Sequence, residues 1–247
     1  RNIVLRQNGG NHQYNSLHVV AERKMKSGLF YQIGWTWGKN ISDVQSDSEG
    51  GGQPQNSFAR YLDRGDVNFM PRHRVVGTVL YDLPVGPGRP WLSDARGPAK
   101  WLLSGWSLSS VLVSQTGLFF NPTFSGFDVS NTNTTSGRPD RIADGNLPKN
   151  ERTLERWFDA SAFRVPGDID GDGRPDISVG RFGNSGPNVL EGPGRFYISS
   201  GLFKSFSLTE RVRATIEGTF TNVLNHPIYS PPAANISAPA SVGKITA

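Results

Sequence analysis

Between Gly28 and Asn40 apolar and polar positions alternate. Leu29, Tyr31, Ile33, Trp35 and Trp37 fall on one parity; Gln32, Gly34, Thr36 and Gly38 fall on the other, with Phe30 the one large apolar exception. A period of two is that of a β-strand with one apolar face. The pattern recurs along the chain. Tyr14–Lys24 sets Leu17, Val19 and Ala21 against His18, Glu22 and Lys24, and His73–Leu83 sets Val75, Val79, Tyr81 and Leu83 against Arg74, Thr78 and Asp82. The cleanest case is Arg211–Asn222, with Val212, Ala214, Ile216, Gly218 and Phe220 opposite Arg211, Arg213, Thr215, Glu217, Thr219 and Thr221. Gly105–Gly117 divides less cleanly because Val111 and Val113 change the apolar parity, and Arg195–Ser207 has mixed faces. Six strands are expected, the second over about residues 29–38.

The connections alternate in length. Only "MKSG" separates the first two strands and only "LTE" the last two, which predicts hairpin turns. Residues 38–72 and 116–194 form two long polar stretches, while 84–104 belongs on the short side and is longer than that rule favours. Sorting short and long connections onto opposite ends is the habit of an antiparallel transmembrane β-barrel, with short periplasmic turns, long extracellular loops and aromatic girdles. On that reading Tyr31, Trp35, Trp37, Tyr81 and Phe220 face lipid, the two tryptophans near the outer boundary where an indole suits both phases. Gln32, Thr36, Arg213 and Glu217 face a wet lumen. A soluble β-sandwich with a half-buried sheet gives the same alternation and stays open at this point.

Composition narrows the choice without closing it. The 247 residues are 36% hydrophobic, with 29 Gly and 17 Pro, which favours strands and irregular loops over helices. The formal charge is +5, but no run of Lys or Arg makes a phosphate-tracking stripe, so no nucleic-acid partner is expected. No cysteine is present, which removes disulfides, thiolate metal sites and Cys nucleophiles. No apolar run is long enough for a membrane-spanning helix, and no amino-terminal signal sequence is seen. The chain opens at Arg1 and stops at Ala247, and reads as a piece of something longer.

The sharpest local motif is "DIDGDGRPDI". Asp168, Asp170, Asp172 and Asp176 occupy positions 1, 3, 5 and 9 of a calcium-loop pattern, Gly173 allows the tight turn, and the Arg174 carbonyl can supply position 7. Position 12 is Val179, so this is no EF-hand. The motif resembles the DxDxDGxxD loop of FG-GAP and related extracellular repeats, and calcium is its expected cofactor; a solvated acidic turn is the other reading. Asp63, Arg64, Arg72 and Arg74 cluster before and at the third strand and are expected to make structural ion pairs at a rim. The Arg64-Gly65-Asp66 tripeptide is read as coincidence. His12, His18, His73 and His226 lack metal-site spacing, and no nucleophile–base pair is suggested, so no enzyme is expected.

Ordered blocks of sequence carry a resemblance. "YNSLHVVAERKMKSGLFYQIGWTWGKNISD", "DRGDVNFMPRHRVVGTVLYDLP", "GWSLSSVLVSQTGLFF", "RPDRI", "WFDASAF", "GRFGNSGPNVLEGPGRFYISSGLFKSFSLTERVRATIEGTFTNVLNHPIY" and "ISAPASVGKITA" span nearly the whole chain. Together they resemble TonB-dependent outer-membrane receptors of the Oar-like type, the carboxypeptidase-regulatory-like family common in Acidobacteria. The resemblance implies that residues 1–247 are a carboxy-terminal segment of a barrel of about 22 strands, in the bacterial outer membrane. The plug, the amino-terminal domain and the last strand would lie outside the segment. It also implies outer-membrane lipid as a surrounding partner, contact with the TonB complex through the missing amino-terminal parts, and an external ligand such as a saccharide or peptide. Asn225 to about Pro239 would form a further external loop. The rival is a secreted or surface calcium-stabilised all-β binding module, which predicts that Tyr31, Trp35 and Trp37 are buried in a core.

Overall fold

The computed structural model describes residues 9–45, 54–209 and 211–246. Arg1, Glu210 of the predicted "LTE" turn, Ala247 and residues 46–53 of the first long loop lie outside them. Six long strands dominate: β1 (His12–Lys26), β2 (Leu29–Ser42), β3 (His73–Asp82), β4 (Trp106–Gln115), β5 (Arg195–Ser207) and β6 (Arg213–Phe220). They pair antiparallel in chain order, β1 to β6, and the two-residue strand Gly65–Asp66 adds to β2, making a seven-stranded sheet. The sheet does not close: among the described residues β1 and β6 each pair on one side only.

The short connections lie at one end. Ser27 (φ 55°) and Gly28 (φ 80°) are both left-handed, which makes a two-residue type I′ turn whose twist matches the strands it joins. At the same end, the Thr209 hydroxyl accepts the Arg211 and Val212 backbone N–H groups, at 3.3 and 3.0 Å. That local bonding takes those residues out of the ladder, so β6 starts at Arg213 rather than at the expected Arg211. It stops at Phe220, before Asn222 turns left-handed (φ 47°) and binds the His226 backbone through its side chain. Residues 83–105 contain the one-turn helix α1 (Pro98–Leu103), which alternation could not foretell.

β2 runs past its expected end at residue 38. It continues to Ser42 opposite His12, and Ile41 faces Asp66 across the short strand, so the expected loop 38–72 is strand over its first residues. The same end of the molecule supplies the cover. Gly38, Asn40 and Ser42 are buried, whereas every residue of β1 is exposed.

The register sorts the side chains into two faces. Trp35 faces Val75, Ile33 faces Gly77 and Leu29 faces Tyr81 between β2 and β3; Tyr81 faces Leu108, and Leu108 faces Leu202, which faces Gly218 on β6. Tyr31, Trp35, Trp37, Tyr81 and Phe220 therefore share one face. Gln32, Thr36, Arg213 and Glu217 share the other, because Gln32 faces Thr78, Thr36 faces Arg74 and Glu217 faces Phe203. Ser110 of β4 and Ser200 of β5 sit opposite each other on the apolar face with hydroxyl oxygens 2.8 Å apart, so each is the other's hydrogen-bond partner.

Among the described residues nothing packs over most of the apolar face. Leu17, Val19, Ile33, Ile216 and Phe220 are 45–65% exposed, and of the buried apolar residues only Val113 belongs to a long strand. Tyr31, Trp35 and Trp37 are half-buried by their strand neighbours and are not in a core, contrary to what the soluble module requires. The core lies in the loops. Phe158, Ala162, Phe163 and Leu190 form one buried cluster and Phe124, Val129 and Val165 a second, with Ile236 packed against both.

Candidate functional site

At the loop end, the segment between β4 and β5 folds into a cap stitched by two-residue strand pairs. Phe119–Phe120 pairs with Leu190–Glu191, Phe124–Ser125 with Ser136–Gly137, and Asp140–Arg141 with Phe163–Arg164. The segment after β6 threads back into it. Ile236 N–H donates to the Thr123 carbonyl at 2.8 Å, Trp157 N–H to the Gly243 carbonyl at 2.8 Å, and Ile245 N–H to the Leu154 carbonyl at 2.8 Å. The backbone at Gly117 lies so close to Gly192 that a Cβ there has no room, which fixes where β4 leaves the sheet and the cap begins.

A buried ion pair ties the two long loops together. Arg138 donates to the Asp63 carboxylate at 2.6 Å, to the Ser185 carbonyl at 2.9 Å and to the Leu62 carbonyl at 3.2 Å. Asp63 also accepts the Gln55 backbone N–H at 3.1 Å, so both charges are embedded in hydrogen bonds, which is what makes a buried pair tolerable. Arg72 pairs with Asp66 at 2.6 Å and lies over the Phe119 ring at 5.1 Å. Of the four rim charges singled out in the sequence, Asp63 and Arg72 make ion pairs. Arg64 instead reaches the Gln13 side-chain oxygen at 3.2 Å, and Arg74 has no carboxylate partner among the described residues. Gly65 and Asp66 are held in the sheet, so the tripeptide is no free loop tip. Asn188, left-handed at φ 53°, donates to the Gln45 side chain and to the Asp66 carbonyl, both at 2.6 Å, a second link between the loops.

Further out, Asp140 and Arg181 form a bidentate pair with two contacts of 2.8 Å. Partial burial would raise the Asp140 carboxyl, but the Arg181 hydrogen bonds and the Asn184 N–H outweigh it and hold its pKa below the ordinary carboxylate value. Asp144 is also held low, by the Asn146 N–H first and by Arg141 beyond it. Neither the Arg138–Asp63 pair nor the Asp140–Arg181 pair has a local sequence signal, because the partners lie 75 and 41 positions apart.

The acidic loop belongs to this cap. Oxygens of Asp168, Asp170 and Asp176 lie within 4.8 Å of one another. Asp172 is not part of that group; its carboxylate accepts the Arg174 N–H at 2.8 Å, and that is how Arg174 enters the loop. Asp168 accepts Gly171 and Gly173 N–H groups at 2.6 and 3.1 Å, and Asp176 accepts Ile169 N–H at 2.7 Å. Beside the loop lies a cavity of about 510 Å³ with mixed walls, including Phe127, Ser161, Arg164, Asp172, Arg174 and Ser237.

On the sheet, the predicted aromatic positions split by height. Trp35 and Trp37 stand toward the loop end, where Trp35 stacks on His73 with ring centroids 5.9 Å apart, and Tyr31 and Tyr81 stand toward the turn end. Sequence reading missed Trp106 and Phe206, which share this face at the turn end and lie in the two strands whose alternation was mixed.

No curated protein and no solved structure matches the chain significantly. A family model for an outer membrane beta barrel domain does, over residues 1–247. An antiparallel sheet with one bare apolar face and connections sorted by length is the architecture of a transmembrane β-barrel wall. This chain belongs to the outer membrane beta barrel domain family, and its place is the bacterial outer membrane.

Proposed function

We propose that the chain supplies part of the wall and the outer cap of a TonB-dependent receptor of the Oar-like type, working in transport rather than catalysis. One observation carries the membrane half of this reading: the apolar side chains of the sheet are bare while the buried core sits in the loops. In water that distribution would expose a large apolar surface at a steep cost; in a bilayer it is the stable one. Leu29 to Trp37 spans roughly 26 Å at about 3.3 Å per residue, close to the about 25 Å apolar band of such barrels. Lys39, on the same parity, then emerges above the tryptophans. The opposite face, with Gln32, Thr36, Arg213 and Glu217, lines the lumen.

The TonB half rests on the sequence resemblance. The ordered cap is the part that meets an external ligand, and the mixed-wall cavity beside Arg164 and Arg174 suits a saccharide or a peptide. Calcium belongs to the same reading: Asp168, Asp170 and Asp176 offer hard oxygen donors that converge, and a cation among them would stiffen one wall of that cavity. The transport test compares two deletion strains of the source bacterium on a panel of saccharides and peptides, one lacking this receptor and one lacking TonB. Loss of uptake of the same compound in both is the expected result. Uptake that needs the receptor yet persists without TonB contradicts the proposal.

A further inference from the structure

The connection between β3 and β4 does not hang below the sheet. It folds back so that α1 stands against the turn end of the apolar face, with Trp101 5.8 Å from Phe206 and the Trp106 indole donating to the Leu102 carbonyl at 2.8 Å. Between α1 and strands β5 and β6 a groove of about 490 Å³ stays open, walled by Trp101, Leu102, Leu202, Ile216 and Phe220. Leu102, Ile216 and Phe220 are more than half exposed within it.

One wall residue is out of keeping with the rest. Lys204 projects from the apolar face of β5, is 5% exposed, and has no carboxylate within ion-pair distance among the described residues. Two of its three N–H groups can be used by the Leu102 and Ser104 carbonyls, which close the end of α1, and its ammonium lies 5.1 Å from the Trp106 ring and 5.2 Å from the Phe206 ring. Carbonyls and rings soften the cost of a buried cation without neutralising it. Across Trp101 and Phe206 a second cavity, of about 540 Å³, is lined by Lys100 of α1; its Arg213 stands on the polar parity and its Arg89 lies 3.8 Å from Asp82, so Lys100 and Lys204 are the two cations at this end with no carboxylate partner among the described residues. The groove is therefore apolar along its length and positive at its end.

We propose that this groove holds one anionic glycerophospholipid of the inner leaflet, an acyl chain lying between α1 and β5–β6 and the phosphate at the Lys100 and Lys204 end. The proposal rests on the reading that the apolar face lies in the membrane. The groove opens onto that same face, so its occupant arrives laterally from the bilayer, and the charge at its end selects the head group.

The test uses the whole receptor, purified from outer membranes and reconstituted in phosphatidylcholine vesicles. A small fraction of the lipid is either brominated phosphatidylglycerol or brominated phosphatidylcholine, and bromine quenches tryptophan on contact. Comparison with Trp101→Phe isolates the groove signal, and comparison with Trp35→Phe/Trp37→Phe isolates the far end of the apolar face. Brominated phosphatidylglycerol is expected to quench Trp101 several-fold more than brominated phosphatidylcholine, with Lys100→Gln, at an exposed position, reducing that preference. Lys204→Gln should abolish it, and should the change unfold α1, the Lys100→Gln result still decides. Equal quenching of Trp101 by both lipids, with Trp35 and Trp37 also quenched, overturns the lipid site and leaves the membrane face standing. No quenching at either end overturns both. A protein segment seated in the groove would shield Trp101 from both lipids while Trp35 and Trp37 respond, and that too overturns the proposal.

Discussion

The Asp63 carboxylate and the Arg138 guanidinium meet at 2.6 Å from positions 75 apart, with side chains 4% and 11% exposed. Removing one partner strands the other in a buried site, so Arg138→Met should destabilise the cap by about 3–5 kcal/mol. The check is protease nicking of residues 54–66 on intact cells, which should rise sharply in the variant while the protein remains in the outer membrane. Asp140 makes a pH prediction. Its folded pKa is depressed, so its contribution is fully present above the unfolded value of about 3.9 and is lost as pH falls through the folded value. Hydrogen-exchange protection of residues 138–146 and 181–184 should hold at mildly acidic pH and drop only below about 3.9, and Asp140→Asn should flatten that dependence. At the acidic loop, calcium should slow protease cleavage within residues 167–179, and Asp168→Asn should cancel the effect; cleavage indifferent to calcium in the unmodified protein would remove the metal from the account. These residues also mark the reach of sequence reading. The acidic loop was legible because its carboxylates fall within nine residues, although the Asp172 carboxylate accepts the Arg174 backbone N–H rather than joining the other three. The Arg138 link was not, since nothing near either partner announces a meeting set by the folding of two loops.

At the level of elements, parity did most of the work. A strand's side chains alternate except at a bulge such as the register shift between Arg23 and Lys26 of β1, so once neighbouring strands are in register a single apolar parity fixes a whole face. That is why Tyr31, Trp35, Trp37, Tyr81 and Phe220 could be grouped before any pairing was known, and why β4 and β5, whose residues include Ser110, Val111, Val113, Ser200 and Phe203, could not be sorted. Strand ends were less legible. β2 overran because the short strand Gly65–Asp66 pairs beyond it, and β6 fell short because Thr209 captures the next N–H groups. The faces give a paired prediction: Ile33→Arg, at the middle of the apolar band, should cost about 2–4 kcal/mol, whereas Gln32→Arg on the adjacent, opposite parity should change stability little. Folding titrations of the full-length barrel protein in lipid vesicles distinguish the two.

The whole molecule is a sheet without a core attached to a cap with one. Short connections, Ser27–Gly28 and the turn before β6, gather at one end, and the long loops with the segment after β6 gather at the other. On the proposed reading the cap lies outside the outer membrane, the α1 groove at its inner leaflet and the polar face toward the lumen. These 247 residues contain no cysteine, so a single cysteine placed in them is the one labelling site of the segment. The most direct measurement is labelling by a membrane-impermeant maleimide at four positions in the full-length barrel protein expressed in cells, any cysteine outside these residues changed to serine, with Asn133→Cys in the cap, Lys26→Cys at the turn end, and Gln32→Cys and Ile33→Cys on opposite parities of β2. Asn133→Cys should label on intact cells and Lys26→Cys only after the outer membrane is permeabilised. Gln32→Cys should then label while Ile33→Cys stays protected until detergent is added. Equal labelling of Gln32→Cys and Ile33→Cys without detergent, or Lys26→Cys reacting on intact cells, would contradict the account.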